Sequence, residues 1–467
     1  MPGAPRTVFL KNLLPLLVPL LGLIGCSASK PPAASKPVAP LFVPPETTKP
    51  LPGAEKTGAV MLGIDVLEAD GFAAVKGKRI GLLTHPAGVN RRGVSTIEVL
   101  RRAPGVKLVA LYAGEHGVYG ELPAEKKFPD QMDARTGLMI YSLYSPQGYK
   151  GKSFKATPAQ LKGIDALVVD LQDIGTRSYT FSSAMKLAME ACFENGKELI
   201  VLDRPNPLGG LKVDGPPLDA QWMSYVGAFR VPYVHGLTMG ELARLAKDSA
   251  PPGGVDVPDK TRAAGKLTVV PMRGWTRSMR WIETGLTWVP TSGLIQDFPA
   301  VMGYPMTGLG CYFDPKRNFD IGFRHGVGKQ HAFRGISHTA VKIDVFEKEL
   351  RALNLAGIQF RRVSVPSAKD GKPAIGLYIE IADYDAWRPT ELSIWLMKLG
   401  AKFAAKNPFA PAPRRDTSGF VRHLGSTAFL NDLAAKGARV DVEAWLRQWR
   451  EQARIYQEQS KKFWLYR

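Results

Sequence analysis

The sequence predicts a doubly wound α/β domain over residues 58–250, followed by a smaller C-terminal α/β domain over residues 251–467. Two observations carry the larger domain. Short runs rich in Val, Ile and Leu, such as residues 165–170 and 198–203, alternate with segments of helical period. That is the pattern of buried parallel strands joined by helices. Each run also ends abruptly in carboxylates, histidines, arginines or amides. In an open parallel sheet, the carboxyl ends of the strands are where ligands bind.

In chain order, residues 79–84 read as the first strand and run into His85. Residues 106–112 form the next and run into Glu115 and His116, and residues 138–143 form a third. Thr157-Pro158 opens a helix with proline in its first turn. A longer helix over 180–195 places Met185, Met189, Cys192 and Phe193 at helical spacing, which makes Cys192 a core residue. Gly196 stands where that helix should end, and Thr238-Met-Gly-Glu241 has the spacing of a capping box. In the second half, residues 339–343, 358–365 and 375–381 read as strands, and 389–403 and 441–461 as helices. The stretch 296–335, dense in aromatics, glycine and proline, reads as a binding loop made basic by Arg317, Arg324, His325, Lys329, His331 and Arg334.

The amino terminus reads as a leader. Arg6 and Lys11 precede an apolar run from Leu13 to Ile24, too short to span a membrane, which resembles a secretory signal peptide. Its Leu23-Ile24-Gly25-Cys26 ending resembles the bacterial lipobox, implying cleavage before Cys26 and lipidation of the thiol. Ser27 then favours outer-membrane sorting in a Gram-negative cell. Residues 27–57 are rich in proline, a stiff tether rather than a domain. The expected location is therefore the cell envelope, with the chain held to a membrane by a lipid.

Composition narrows the function. With 45% hydrophobic and 22% charged residues the chain is an ordinary globular protein, and its formal charge of +20 suits anionic neighbours. Its basic residues are scattered without interleaved aromatics, so nucleic acid is not expected as a partner. Cys192 and Cys311 are too few for a disulfide framework, and no Cys-x-x-Cys or His-Glu-x-x-His pattern occurs, so neither a metal nor another cofactor is expected. No Gly-x-Ser-x-Gly elbow is present, and residues 146–153 read as a basic surface loop rather than a phosphate-binding one.

The polar strand ends gather His85; Glu115 and His116; Asp170, Gln172, Asp173 and Arg177; and Asp203, Arg204 and Asn206. Several of these lie in longer motifs: Glu115-His-Gly, Asp170-Leu-Gln-Asp-Ile-Gly-Thr-Arg177-Ser-Tyr179, Leu202-Asp-Arg-Pro-Asn-Pro-Leu-Gly-Gly210 and His235-Gly-Leu-Thr-Met-Gly-Glu241. With Met272-Arg-Gly-Trp275 and Glu283-Thr-Gly-Leu-Thr-Trp288, they resemble the exo-β-N-acetylmuramidase family of glycoside hydrolases, formerly a domain of unknown function. The resemblance runs from about residue 61 to the end. It implies a Rossmann-like domain, a smaller C-terminal domain and an active-site cleft between them. It also implies release of N-acetylmuramic acid from the non-reducing end of peptidoglycan fragments. Residues 308–325 depart from the family's pattern, and so does Gly114, where the family has proline. A non-catalytic glycan-binding lipoprotein on the same fold is the alternative expectation.

Glycoside hydrolysis normally uses two carboxyl groups, one protonated to assist the leaving group and one charged. Glu115, beside apolar neighbours at a strand end, suits the acid role, since burial favours the neutral form of a carboxyl. Asp173 and Asp170 are the candidate partners, with Arg177 near enough in sequence to keep one charged. Asp203, Arg204, Asn206, His116 and His235 are expected to meet sugar hydroxyls, and Tyr179, Trp275 and Trp288 to stack on sugar faces. Arg177 or Arg204 can fork onto the lactyl carboxylate. Glu283 is a reserve acid at the domain junction.

Overall fold

The structure, a computed structural model, describes residues 60–145, 154–366 and 372–467. The expected leader with Cys26, the tether and the 146–153 loop lie outside the described residues. Seven strands make the main sheet: β1 (Arg79–Thr84), β2 (Lys107–Ala113), β3 (Gln131–Met132), β4 (Met139–Ser142), β5 (Ala166–Asp170), β6 (Glu198–Leu202) and β7 (Leu267–Val270). Their order is β3-β4-β2-β1-β5-β6-β7, all parallel except the short β3. From β1 the chain builds outward through β2 and β4, then returns to β5 on the other side of β1 and builds outward again. That reversal leaves a crevice at the carboxyl ends of β1 and β5, where doubly wound sheets bind ligands. The sheet runs past residue 250, because β7 is its edge strand beside β6.

The helix Thr180–Glu194 connects β5 to β6 and buries most of its length, Cys192 included. Gly196 follows it at φ +64°, the left-handed conformation that ends helices and favours glycine. Thr238 and Glu241 form the expected capping box of the helix Met239–Asp248, each bonding the other's backbone N–H.

The second half carries an antiparallel sheet of β10 (Phe323–Arg324), β11 (Gly335–His338), β12 (Ile358–Val365) and β13 (Ala374–Ile381), in the order β10-β11-β13-β12, beside the hairpin β8 (Phe313–Asp314) and β9 (Phe319–Asp320). Two expectations fail here. The strand expected over 339–343 is a turn leading into the helix Ile343–Ala352. The His338 ring nitrogen takes the N–H groups of Ala340 and Val341 that a strand would give to a ladder. Within the expected loop 296–335 lies the helix Phe298–Thr307, hidden from sequence reading by Pro299, Gly303 and Pro305. The Asp297 carboxylate caps it through the Ala300 N–H, and Gly303 admits the Phe333 carbonyl, against which a Cβ would collide.

The carboxyl terminus closes onto the main sheet. The Tyr466 hydroxyl donates to Asp203, just beyond β6, at 2.5 Å, and the Leu465 N–H donates to Glu241. The Arg277 guanidinium, paired with Glu241, lies 3.7 Å over the Trp464 ring. Burial lifts the Asp203 carboxyl to about 6, against the lowering effect of its donors, Tyr466 first among them. Tyr466→Phe is therefore expected to cost about 2 kcal/mol at pH 7, the usual size of a hydrogen bond to a charged group. A folded pKa raised above the unfolded one means that ionising Asp203 works against folding, and the mutation worsens this. The loss should thus be largest above pH 6 and shrink as pH falls through Asp203's folded pKa, which urea unfolding at several pH values would measure.

Candidate active site

β2 delivers Glu115 to the rim of the crevice, half-buried, with both oxygens engaged. Oε1 accepts the Glu125 N–H at 2.8 Å and the Tyr144 hydroxyl at 3.3 Å. Oε2 accepts the hydroxyl of Thr180, first residue of the 180–194 helix, at 2.9 Å. The loop that supplies the Glu125 N–H is turned by His116, in the left-handed region at φ +73°, whose ring N–H meets the Leu122 carbonyl at 3.0 Å. An aromatic wall flanks the carboxyl. Phe154 stacks on Tyr144 at 4.9 Å and on Tyr225 at 4.0 Å between ring centres.

At the foot of the crevice, two histidines have their tautomers fixed by the backbone. His85, just after β1, accepts the Gln172 N–H on Nε2 at 2.8 Å, so its proton sits on Nδ1. Burial, reinforced by the charge of Arg204, pushes His85 well below its usual range and keeps it neutral. His235 accepts the Leu237 N–H on Nδ1 at 3.1 Å, which places its proton on Nε2, 3.7 Å from Asp173 Oδ2. That oxygen also takes the Gly175 N–H at 2.7 Å. Gly175 must be glycine: its φ is +79°, and a Cβ would run into the Asn206 amide. The Gln172 amide donates to the carbonyls of Asp173 and Pro205, leaving its oxygen open. His85 Nδ1, Gln172 Oε1, Asp173 Oδ1 and His235 Nε2 are all buried without a hydrogen-bond partner among the described residues. Native interiors pair nearly all such groups, so a concentration of unpaired ones at a switch point marks a place for a ligand or water.

Tyr304 completes this end of the sheet. Its hydroxyl lies 3.3 Å from that of Ser178, within electrostatic reach of both Glu115 and Asp173, and burial pushes it up to about 12, so it stays a hydrogen donor. Sequence reading missed it because it sits on the unrecognised helix Phe298–Thr307. Tyr144, Phe154 and Tyr225 were missed as site residues for another reason: nothing in their spacing links them to Glu115.

Other expected site residues hold the scaffold. Asp170 is fully buried in a two-pronged pair with Arg204, at 2.5 and 2.9 Å, and also receives the Thr96 hydroxyl, which leaves it no free face for catalysis. Among the described residues, Arg177 pairs with no carboxylate. Its guanidinium donates to the carbonyls of Pro216, Val231, His423 and Leu424, and burial lowers it to about 10. Asp203 anchors Tyr466 and the Thr238 hydroxyl, and Asn206 ties the Leu237 carbonyl to the Leu208 N–H. The Tyr179 hydroxyl is spent on Thr291 at 2.6 Å. Trp275 is buried edge-on against Tyr466, and Trp288 packs edge-on against Trp281. Glu283 pairs with Arg280, the residue that caps its own short helix. Among the described residues, no group of His, Cys, Asp and Glu could hold a metal ion.

The models of the NamZ exo-β-N-acetylmuramidase N-terminal and C-terminal regions match residues 80–299 and 303–466. The chain belongs to the NamZ exo-β-N-acetylmuramidase family. Membership places it among the glycoside hydrolases. It is 36% identical over 346 residues to the peptidoglycan β-N-acetylmuramidase NamZ of Bacillus subtilis (strain 168), an alignment spanning 73% of this chain and 78% of that one. A crystal structure of a DUF1343-family protein from Bacteroides fragilis superposes with a TM-score of 0.72 at 33% identity, covering 88% of this chain and 99% of that one. A second from the same organism superposes at 0.63 and 22% identity with the same coverage, a likeness of fold.

Proposed function

We propose that this protein is an exo-acting glycoside hydrolase that releases N-acetylmuramic acid from the non-reducing end of peptidoglycan fragments. The observation that carries the reading is a family-matched crevice in which Glu115 and Asp173, whose Oδ1 has no partner among the described residues, flank the β1/β5 switch point. Glu115, held from both oxygens and walled by aromatics, protonates the departing sugar oxygen. Asp173 is the second carboxylate of the pair. His85, Gln172 and His235 supply fixed donors and an acceptor for the sugar's polar groups, and no cofactor takes part. Lipidation at Cys26 and the tether would hold the catalytic body near peptidoglycan, in the periplasm or at the outer membrane of a Gram-negative cell.

The direct test incubates purified protein with 4-nitrophenyl β-N-acetylmuramide and with muropeptide fragments carrying a non-reducing N-acetylmuramic acid. Steady nitrophenol release together with free N-acetylmuramic acid is the expected result. Saturable binding without turnover would overturn it and identify a glycan-binding lipoprotein.

A further inference from the structure

The role of Asp173 in the pair can be read from its surroundings. Its Oδ2 is committed to the Gly175 N–H and neighbours His235, while Oδ1 is buried without a partner among the described residues. With 6% of its surface exposed, Asp173 lies at the foot of the crevice rather than on its rim. A carboxylate placed so deeply meets a substituent that projects into the crevice more readily than it meets a ring carbon. The substituent it fits carries one hydrogen donor for Oδ1. At the same end of the sheet stand two ring hydrogens without an acceptor among the described residues, His235 Nε2–H and His85 Nδ1–H, and the Tyr304 hydroxyl, 3.3 Å from that of Ser178, a contact in which either oxygen can be the donor. A donor and an acceptor on one short arm describe a secondary amide, whose two groups must both be satisfied when buried.

We propose that Asp173 accepts the N–H of the substrate's 2-acetamido group, with Tyr304 donating to the acetamido oxygen, so that this oxygen rather than an enzyme carboxylate attacks the anomeric carbon. The inference rests on the hydrolase reading above and assigns its second carboxylate. As the acetamido oxygen bonds to C1, the bond from C1 to the leaving oxygen breaks and that oxygen takes the proton of Glu115. The cyclic oxazolinium formed carries its positive charge next to Asp173, which holds the N–H. Water then adds to C1 from the vacated face and returns a proton to Glu115. The C1–oxygen bond of the ring opens, restoring the acetamide. Two displacements at C1 give a product of retained β configuration. Asp173 keeps its charge throughout, and no oxidant or further reactant is required.

The test uses the wild-type protein with 4-nitrophenyl β-N-acetylmuramide and its mono-, di- and trifluoroacetyl analogues. Fluorine drains electron density from the amide oxygen, so kcat/KM should fall at each added fluorine, and NMR should find the β anomer first. Asp173→Asn, which turns an NH2 towards the substrate N–H, should lower kcat on the N-acetyl substrate by about 10²-fold, the loss seen when one preorganised polar contact to the reacting group is removed. Rates flat across the fluorine series with a β product would overturn the proposal and leave Asp173 as a covalent nucleophile. An α product would overturn it in favour of direct attack by water. No turnover of the N-acetyl parent would overturn the hydrolase reading and the proposal together, which separates that failure from the other two.

Discussion

Glu115→Gln is expected to lower kcat/KM for muropeptide substrates by about 10²–10⁴-fold, the usual worth of a positioned general acid, with the fold unchanged. The amide has the shape of the carboxyl and keeps an oxygen for the Glu125 N–H or the Thr180 hydroxyl. What it loses is a proton to give. The loss should therefore depend on the leaving group. A sugar oxygen departs poorly without protonation, whereas nitrophenolate is stable as an anion, so 4-nitrophenyl β-N-acetylmuramide should suffer less than a disaccharide. Comparing both substrates, alongside the variant's thermal midpoint, separates a missing acid from a damaged fold. Near-wild-type turnover of the disaccharide would remove Glu115 from the mechanism.

Arg204→Ala is expected to destabilise the protein by about 3–5 kcal/mol, because it strands the buried Asp170 carboxylate without its partner. Arg204 also donates to the Val89 carbonyl, so the change loosens the loop after β1 as well as the end of β5. Replacing Asp170 at the same time, as Asp170→Asn/Arg204→Ala, should recover part of the loss, since no charge is then left uncompensated. Urea unfolding of the single and double variants measures both. A small effect of Arg204→Ala on stability, with a large rise in KM, would return Arg204 to the substrate-binding role that its motif suggests.

Arg204 also shows what a motif can and cannot say. Residues 202–210 marked the family, and the polar ends of successive apolar runs gathered the candidate site residues at one edge of a parallel sheet. Those features depend on local order: a strand buried on both faces must be apolar, and its end is where the chain can turn polar. Pairing is a different matter. Asp203 and Arg204 are adjacent in sequence, yet the carboxylate beside Arg204 is Asp170, while Asp203 reaches the far end of the chain at Tyr466. Arg177 looked like a partner for carboxylates and instead holds four carbonyls. Side chains of neighbouring residues at a strand end diverge, so their partners are set by whichever elements pack there.

The sequence by itself determined the parallel sheet, the buried helix Thr180–Glu194, its glycine end, the Thr238 capping box and Glu115 as a carboxyl in the crevice. Periodicity and caps act within a few residues, so they survive in a linear reading. Only the tertiary structure decided which polar residues are spent on the scaffold and which stay open. It brought Tyr304 from an unrecognised helix towards Glu115 and Asp173, and it left Asp173 Oδ1 buried without a partner among the described residues while Oδ2 lies near His235. Whether a buried polar atom is satisfied depends on groups far away in the chain, and that is what distinguishes a site from a well-bonded core.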